Sequence, residues 1–366
     1  MKKNFLIGII LSFVFCIITI KFVIIPLAKQ NLSNNSKNFI KEIFLPYKVI
    51  KEKNNFIQKQ NMEIRELVLQ HDLLLKKGLN NINFKIKKDV IDLEFADLKV
   101  FSSPSKILTG INKIRPGSAF LDYYNEKLYL LSSTGIIAHT EVNNNILKFI
   151  QIPNNINEFI NESHFRLTTK IDIDLPWQNG AWFSVKDLKI FDDKVFVSYT
   201  NEVKDDCWNT SVITADLNYQ NLRFKKIFSP KDCASITNNP DNEFNAFQSG
   251  GRIIQLDKNH IALSTGDYRS RYYAQDQKST LGKILKVNIY SGDFEIISLG
   301  HRNPQGLFYN KDLKIIISTE HGPMGGDEIN IVDLKLNKQL NFGWPISSYG
   351  EHYKKTDEKL KKYPLN

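Results

Sequence analysis

The 366-residue chain has few of the residues on which metal and redox sites usually depend, with only three cysteines and three methionines. No two cysteines have the Cys-x-x-Cys spacing, which argues against a zinc site. The glycine-rich signatures of nucleotide-phosphate sites and the serine signature of the α/β-hydrolases are also absent. Although the net charge is +10, no cluster of lysine and arginine is interleaved with aromatic residues, and we expect no nucleic acid as partner. The spread positive charge still favours acidic ligands or anionic membranes.

Long apolar runs are also scarce, and the one that could cross a bilayer lies at the N-terminus. Residues 5–20 carry no charge, Lys21 interrupts the run, and residues 22–28 continue it. Together they reach the length of about 20 residues that a transmembrane helix needs. The alternative is a cleaved signal peptide, although no small-x-small cleavage site follows. Because Lys2 and Lys3 precede the run, we expect an inner-membrane anchor with the body of the protein in the periplasm.

Three segments follow from this pattern. We assign residues 1–28 to the anchor or uncleaved signal, 29–80 to a linker and helical stalk, and 81–366 to the body. Within the second segment, apolar residues recur at three- and four-residue steps from about residue 39 to residue 77, as in an amphipathic helix. A stalk that holds the body off the membrane and a helix packed on the body both fit this pattern, and the oligomeric state stays open.

Two of the three cysteines lie in one polar region of the body. Cys207 and Cys233 are separated by 26 positions, whereas Cys16 lies in the N-terminal apolar run. If the chain is exported into an oxidising compartment, a disulfide between Cys207 and Cys233 is the natural interpretation. The alternative is two unpaired thiols.

A repeat in the body indicates its architecture. Short β-like runs begin after polar turns at Lys127, Lys194, His260 and Lys314, in steps of roughly 60 residues. One such unit cannot bury both faces of its sheet, so neighbouring units have to cover it, as in the blades of a β-propeller. A β-sandwich would show frequent turns without this longer period. We therefore predict an all-β β-propeller. In the second repeat we expect Asp187 to be a turn residue before the strand.

The chemistry concentrates near the C-terminus, in three strings between glycines and prolines. These are GHRNPQGL at 300–307, EHGPMGGDEIN at 320–330 and NFGWP at 341–345. Polar residues outside the apolar runs are typical of functional loops. Arg302 offers a planar cationic fork, and the glycine-rich turn exposes carbonyls beside the carboxylate of Asp327, a ligand set that suits Ca²⁺. The alternative is a glycine-rich hairpin with ordinary surface charges.

These three strings, in this order, resemble the family of soluble glucose and aldose sugar dehydrogenases that depend on pyrroloquinoline quinone (PQQ), also called the glucose/sorbosone dehydrogenase family. The resemblance extends back to about residue 247, more faintly to about residue 117, and does not cover residues 1–80. It implies a six-bladed propeller that oxidises a sugar hydroxyl by hydride transfer to PQQ, with Ca²⁺ at the cofactor. Four repeats and an end soon after Pro345 lead us to expect a propeller truncated at its C-terminus.

The resemblance also implies roles for particular residues. By match to the family motifs, Arg302, Asn303, His321 and Asp327 would contact the cofactor. The backbone carbonyls of Gly322 and Pro323 would bind Ca²⁺. Loop segments 266–269 and 276–283 also match family elements near the site, with ordinary β-turns as the alternative.

The catalytic base is where the sequence departs from the family. The family uses the histidine of a His-x-x-Gly-Arg pattern, and the matching run 247–252 has Gln248 four residues before Arg252. Glutamine cannot accept a proton at neutral pH, and loss of a general base typically costs 10²–10⁴-fold in rate. Two functions follow: a sugar dehydrogenase, or a non-catalytic propeller that binds a sugar, a cell-wall fragment or a protein.

Overall fold

A computed structural model describes residues 82–83, 87–93, 96–102, 119–132, 135–141, 148–159, 185–204, 206–336, 338–352 and 363. All of them lie in one compact unit, Leu75–Asn366. The expected anchor and stalk lie outside the described residues. Within those residues, no helix has both the length and the apolar character for a membrane span.

Nineteen strands and three short helical turns make up the described part of the chain. In chain order the strands are β1 (Ile82–Asn83), β2 (Lys87–Leu93), β3 (Ala96–Ser102), β4 (Ala119–Tyr124), β5 (Lys127–Ser132), β6 (Ile137–Glu141), β7 (Lys148–Ile152), β8 (Val185–Phe191), β9 (Lys194–Lys204), β10 (Cys207–Asp216), β11 (Lys225–Phe228), β12 (Gly250–Gln255), β13 (His260–Thr265), β14 (Lys283–Asn288), β15 (Phe294–Leu299), β16 (Pro304–Asn310), β17 (Ile315–Glu320), β18 (Glu328–Asp333) and β19 (Leu340–Asn341). The helical turns are α1 (Tyr272–Gln275) and two 3₁₀ turns at Ile156–Glu158 and Leu334–Leu336.

The strands form four larger sheets, each built around an antiparallel meander. Sheet 1 has the order β1-β7-β6-β5-β4, sheet 2 β11-β10-β9-β8, sheet 3 β12-β13-β14-β15-β19, and sheet 4 β16-β17-β18. The β2-β3 hairpin stands apart as a two-stranded sheet. This is a propeller-like, all-β architecture with four blades, as the repeat predicted. Six blades remain an expectation.

The repeat seen in the sequence marks the second strand of every blade. The predicted runs beginning at Lys127, Lys194 and His260 coincide with the starts of β5, β9 and β13, and the fourth run is β17, which begins one residue later, at Ile315. Each is followed by the meander partner that pairs with it. A second strand has a neighbour on both sides, so its continuous β-branched and apolar run is the most regular signal in the blade.

Tight turns lead into the first two of these strands. Asn125 and Glu126, and likewise Asp192 and Asp193, have positive φ at both central positions. Such turns match the twist of a two-residue hairpin and favour Asn and Asp, which tolerate the left-handed region. The polar pair before each of these two repeats is therefore a structural element of the hairpin.

Alternate residues of each strand pack against different neighbouring sheets. In β9, Val195 and Val197 join the core between sheets 1 and 2, while Phe196 joins the core between sheets 2 and 3. In β13, Leu263 faces sheet 2 and Ala262 belongs to the layer shared with sheet 4. Complete burial of a large apolar side chain contributes roughly 1.5–3 kcal/mol, so these layers hold the blades together.

Polar clasps join the first strands of successive blades. In the clasp between sheets 1 and 2, Asp122 accepts hydrogen bonds from Lys189 Nζ at 2.7 Å and from Ile190 N at 2.6 Å. In the clasp between sheets 2 and 3, Asp187 accepts from Arg252 Nη1 and Ile253 N, both at 2.8 Å. The expectation that Asp187 is a turn residue is wrong, because it lies inside β8 and binds the next blade.

The predicted disulfide is confirmed, since Cys207 and Cys233 are bonded. It ties the start of β10 to the connection that follows β11. Next to it, Trp208 and Ala234 exchange both backbone hydrogen bonds at 2.8–2.9 Å. The connection after β11, which leads towards β12 and the candidate site, is thus fixed to sheet 2.

Candidate functional site

Five connections meet at one end of sheets 3 and 4. They are the segment before β12, the β13–β14, β15–β16 and β17–β18 connections, and the segment after β19. Every site residue proposed from the sequence lies in one of them. Because consecutive antiparallel strands place alternate connections at the same end of a sheet, residues far apart in sequence come together there.

A glycine allows the first two connections to touch. A Cβ on Gly266 would lie 2.0 Å from the carbonyl oxygen of Gln248, so only glycine fits. Tyr268 N then donates to this carbonyl oxygen at 2.9 Å. The result is that Gln248 and Asp267 lie side by side.

The Gln248 side chain is buried and has its hydrogen bonds satisfied by protein in one amide orientation. In that orientation its nitrogen donates to Asp267 Oδ1 at 3.1 Å, and its oxygen accepts from Arg302 Nη2 at 3.0 Å and Arg269 Nε at 3.1 Å. Both lone pairs of the amide oxygen are therefore directed at guanidinium groups. An amide held in this way is a positioning group and has no basic atom to offer to a substrate.

Asp267 is a completely buried carboxylate with several donors. Trp344 Nε1 donates to its Oδ2 at 2.7 Å, and Arg269 N donates to Oδ1 at 2.8 Å. Burial raises the pKa of Asp267 above its usual value, while Arg302 and these hydrogen bonds act in the opposite direction. The Asp267 carboxylate therefore holds the Gln248 amide and the Trp344 ring next to each other.

Arg302 is held on three sides. Its backbone N donates to Glu320 Oε2 and its Nη1 donates to the carbonyl oxygen of His321, both at 2.8 Å. Its guanidinium lies 5.4 Å from the ring centre of Trp344, a cation–π contact. Arg302 therefore links the Gln248 side of the site to the glycine-rich loop.

A buried pair, His301 and Glu320, holds the backbone of Arg302 in place. His301 Nδ1 lies 2.9 Å from Glu320 Oε1, and its Nε2 lies 2.8 Å from Ser298 Oγ. Burial alone would raise the pKa of Glu320, but His301 and the backbone N–H groups of residues 302 and 303 lower the pKa below its usual value. Glu320 thus stays ionised and fixes the backbone that carries Arg302.

The glycine-rich loop is a compact turn. A Cβ on Gly322 would lie 1.6 Å from the carbonyl oxygen of Gly326, which only glycine avoids. Gly326 N donates to the Pro323 carbonyl oxygen at 2.9 Å, and Gly322 N donates to Asp327 Oδ1 at 3.0 Å. Asp327 and His321 are exposed, and His321 Nδ1 lies 3.7 Å from Asp327 Oδ2. The loop therefore presents His321 and Asp327 to solvent, while its backbone is closed on itself.

Asn303 takes a different position from the other predicted cofactor residues. Its side chain is buried, and its Oδ1 accepts a hydrogen bond from Gly250 N at 3.1 Å. Its carbonyl oxygen accepts from His321 N at 3.1 Å. In this structure Asn303 joins sheet 3 to the loop that carries His321.

An open pocket of about 290 Å³ lies beside this loop. Its lining residues are Gln305, Thr319, Glu320, His321, Asp327, Glu328 and Ile329. Burial, and then the neighbouring Glu320, raise the pKa of Glu328. The pocket combines carboxylates with one exposed imidazole, so its polar groups can bind hydrogen-bond donors of a ligand.

The site fits an anionic, oxygen-rich cofactor such as PQQ, because the guanidinium group of Arg302 lies against the Trp344 ring. A calcium ion would depend on the backbone. Among the described residues no group of three or more His, Cys, Asp or Glu side chains is spaced to hold a metal. The close approach of Gly322 to Gly326 keeps the loop that carries the Gly322 and Pro323 carbonyls compact.

Two contributors were not assigned from the sequence. Trp344 belonged to a recognised string, but its contacts with Asp267 and Arg302 follow only from the fold. Arg269 lay in a segment for which an ordinary turn was the alternative, and the structure places its Nε on the Gln248 amide. The available signal was membership of a string for Trp344 and of a segment that matches family elements for Arg269, and neither pattern states the contact.

Comparison with family models gives one match to this part of the chain. Residues 189–364 match the model described as Glucose / Sorbosone dehydrogenase. The chain is 33% identical over 117 residues to aldose sugar dehydrogenase YliI of Escherichia coli, covering 28% of this chain and 30% of that protein. It is 37% identical over 82 residues to quinoprotein glucose dehydrogenase B of Acinetobacter calcoaceticus, covering 19% of this chain and 16% of that protein. The matches therefore span less than a third of these relatives.

Solved structures show a weaker likeness. The PQQ-bound form of aldose sugar dehydrogenase from Streptomyces coelicolor aligns with a TM-score of 0.47 at 17% identity, covering 75% of this chain and 70% of that one. The apo form of the soluble aldose sugar dehydrogenase from Escherichia coli aligns with a TM-score of 0.47 at 22% identity, over 64% of each chain.

Proposed function

Because residues 189–364 belong to the Glucose / Sorbosone dehydrogenase family, we propose that this chain carries the site of a sugar dehydrogenase dependent on PQQ and Ca²⁺. A sugar hydroxyl would be oxidised there by hydride transfer to the quinone. The observation that carries the proposal is the arrangement of Gln248, Arg302 and Trp344 around Asp267 beside the 321–327 loop. This arrangement joins all three motif strings in one place.

Different residues of the chain would bind the cofactor and the calcium ion. Arg302, His321 and Asp327 are the groups that would bind the cofactor, with Asn303 fixing the loop through Gly250. The carbonyls of Gly322 and Pro323 would ligate Ca²⁺. The bound quinone supplies the hydride acceptor. A fixed guanidinium is suited to binding carboxylate or quinone oxygens because its donors need no reorganisation when the ligand arrives.

Oxidation of a sugar hydroxyl requires a base that accepts its proton, and the family's base position here holds a glutamine. Gln248 stands where the family has its base and is bonded to Asp267, Arg269 and Arg302. This observation favours a second candidate function: a propeller that binds a sugar, a cell-wall fragment or a protein without oxidising it. The two candidates share the binding site and differ only in turnover.

The test starts with cofactor binding by the full chain. PQQ is titrated with Ca²⁺ present and followed by absorbance, and dye reduction is then measured with a panel of aldoses. Arg302→Ala should weaken PQQ binding on the order of 10–100-fold, because a charge-assisted contact is lost. Arg223→Ala, an exposed arginine outside the site, is the control and should bind as the parent does. Equal PQQ affinity in the parent and Arg302→Ala would contradict the proposal.

Turnover separates the two candidates. A dehydrogenase reduces the dye with an aldose and stops when Ca²⁺ is chelated. Sugar binding without dye reduction supports the binding propeller. In that case Gln248→His tests the base position directly: it should raise the rate on the order of 10²–10⁴-fold. A Gln248→His protein that binds PQQ and stays silent would show that this position is not the base.

We also propose that the body is exported and held at the inner membrane by residues 5–28. The disulfide between Cys207 and Cys233 supports export, because such bonds persist in oxidising compartments. Separation of inner-membrane and soluble fractions after cell lysis tests the anchor. Recovery of the protein in the soluble periplasmic fraction would favour a cleaved signal.

A further inference from the structure

A strained turn next to Gln248 aims an arginine at the site. Tyr268 and Arg269 both have positive φ, 53° and 60°, and Ser270 N closes the turn on the Asp267 carbonyl oxygen at 2.7 Å. Neither residue is glycine, so the left-handed conformation carries a conformational cost. The turn is imposed from outside, because Tyr268 N and O bond to the backbones of Gln248 and Asn245. Strain that the surroundings impose in this way is typical of functional sites.

The Arg269 guanidinium is fixed at Nε, whereas its two Nη atoms are open to a ligand. Nε donates to the Gln248 oxygen at 3.1 Å, which sets the plane of the guanidinium. Nη1 and Nη2 donate no hydrogen bond to any residue that the structure describes, and the side chain is 35% exposed. Glu243 Oε2 lies 3.7 Å from Nη1, beyond hydrogen-bond distance. The outer edge of the fork is therefore available to a ligand.

A neighbouring arginine adds to the surplus of donors. Arg271 donates from Nη2 to Glu243 Oε2 at 2.9 Å, so this carboxylate already serves one guanidinium. Arg271 is 7% exposed, and its Nε and Nη1 are buried with no hydrogen-bond partner in the described part of the chain. Asp241 Oδ2 lies 3.6 Å from Nη1, close enough for a charge contact but beyond hydrogen-bond distance. Buried donors without acceptors are rare and destabilising. This corner of the site holds more donors than its own carboxylates satisfy.

We propose that Arg269 anchors an anionic group of the ligand, so that the site takes acidic sugars, sugar acids or sugar phosphates, in preference to neutral aldoses. A guanidinium edge accepts the two oxygens of a carboxylate or phosphate in parallel, which a neutral hydroxyl cannot reproduce. Gln248 holds the fork in place for this contact. The inference rests on the proposed sugar-binding function and names the chemical class of its ligand.

The experiment measures sugar binding directly, by calorimetric titration of the full chain without reference to turnover. D-glucuronate, D-glucose 6-phosphate and D-glucose are titrated with and without saturating PQQ and Ca²⁺. We expect at least one anionic sugar to bind on the order of 10–100-fold more tightly than glucose, and which one binds identifies carboxylate or phosphate. The preference should shrink as salt is raised, because half-exposed charges are screened.

The matched variants are Arg269→Gln and Arg223→Gln, which remove the same charge inside and outside the site. Arg269→Gln should abolish the preference for the anionic sugar, and Arg223→Gln should retain it. Tight glucose binding without any preference would overturn the inference and leave the sugar-binding proposal standing. Binding of no sugar at all would remove both. A loss of PQQ affinity in Arg269→Gln, with sugar preference intact, would show that the fork holds the cofactor instead.

Discussion

Glu320, the first residue of the second motif string, is a buried carboxylate that holds the backbone of the site in place. The carboxylate accepts hydrogen bonds from the backbone that carries Arg302, from Asn330 and from His301. The string draws attention to its glycines and to Asp327, yet Glu320 is the buried residue that fixes the backbone at Arg302. Its environment holds the pKa of Glu320 below the usual value of 4.5.

A depressed folded-state pKa predicts a pH dependence of stability. The unfolded chain protonates Glu320 at higher pH than the folded chain does, so this contribution is complete above the usual pKa and is lost as pH falls through the folded value. Glu320→Gln should remove the contribution and make the loss of stability between neutral pH and pH 3 shallower. Urea unfolding at a series of pH values measures it. Parallel pH profiles for the parent and Glu320→Gln would contradict the assignment.

At the scale of elements, one lysine fastens a functional connection to its sheet. Lys283 in β14 is completely buried, and its Nζ donates to the carbonyl oxygens of Tyr273, Ala274 and Leu281 at 2.6–3.0 Å. Burial lowers the pKa of Lys283 to about 8. The same connection carries Gln275, which donates to the Trp344 carbonyl oxygen at 2.6 Å. The ammonium group therefore holds α1 and, through it, the tryptophan of the site.

Replacing this lysine should cost stability. Lys283→Met fills the same space but removes the ammonium donor from three carbonyl oxygens, of which those of Tyr273 and Ala274 keep a backbone donor. We expect a loss of about 2–3 kcal/mol in the free energy of unfolding. Lys286→Met is the matched control on the same strand, because the Lys286 side chain is half-buried and its contact with Glu295 is 3.9 Å long. Its change should stay within about 0.5 kcal/mol. Urea unfolding compares the two, and equal effects would refute the role of Lys283.

At the scale of the whole molecule, sheet 4 has one apolar face that packs on sheet 3 and one that is exposed. The face of sheet 4 turned away from the packed layers exposes Phe308, Ile329 and Ile331, with Phe308 and Ile331 in one row across β17. The inner face of the same sheet contributes Ile316 and Val332 to the core with sheet 3. Blade packing is therefore two-sided in sheets 2 and 3 and one-sided in sheet 4, among the residues that the structure describes.

The disulfide predicts the result of a thiol count. In denaturant without reductant, the native protein should show one free thiol, Cys16, and after reduction all three cysteines should react. Removing the bond in Cys207→Ser/Cys233→Ser should lower stability by about 3 kcal/mol, because a loop of this length loses its constraint in the unfolded chain. That double variant is the control for the count, with one thiol in both conditions. Equal counts before and after reduction of the native protein would mean that the bond is absent.

The sequence by itself determined the all-β repeat, the second strand of each blade, the cysteine pair and the loops that hold the chemistry. These depend on local patterns: β-branched runs, turn residues with left-handed tolerance and glycine-rich strings, each readable over a few positions. The resemblance to the family also led us to expect Gln248, four residues before Arg252, at the position of the family's base.

The tertiary structure decided which of those residues act on one another. Asp187 was taken for a turn residue because nothing near it in sequence shows that Arg252, in the next blade, binds it. The contacts of Trp344 with Asp267, of Arg269 with Gln248 and of Lys283 with its three carbonyls likewise depend on how the connections fold over the sheet ends. Such contacts form only when several connections of different length come together at one end of the sheets. No local periodicity of the sequence encodes that arrangement.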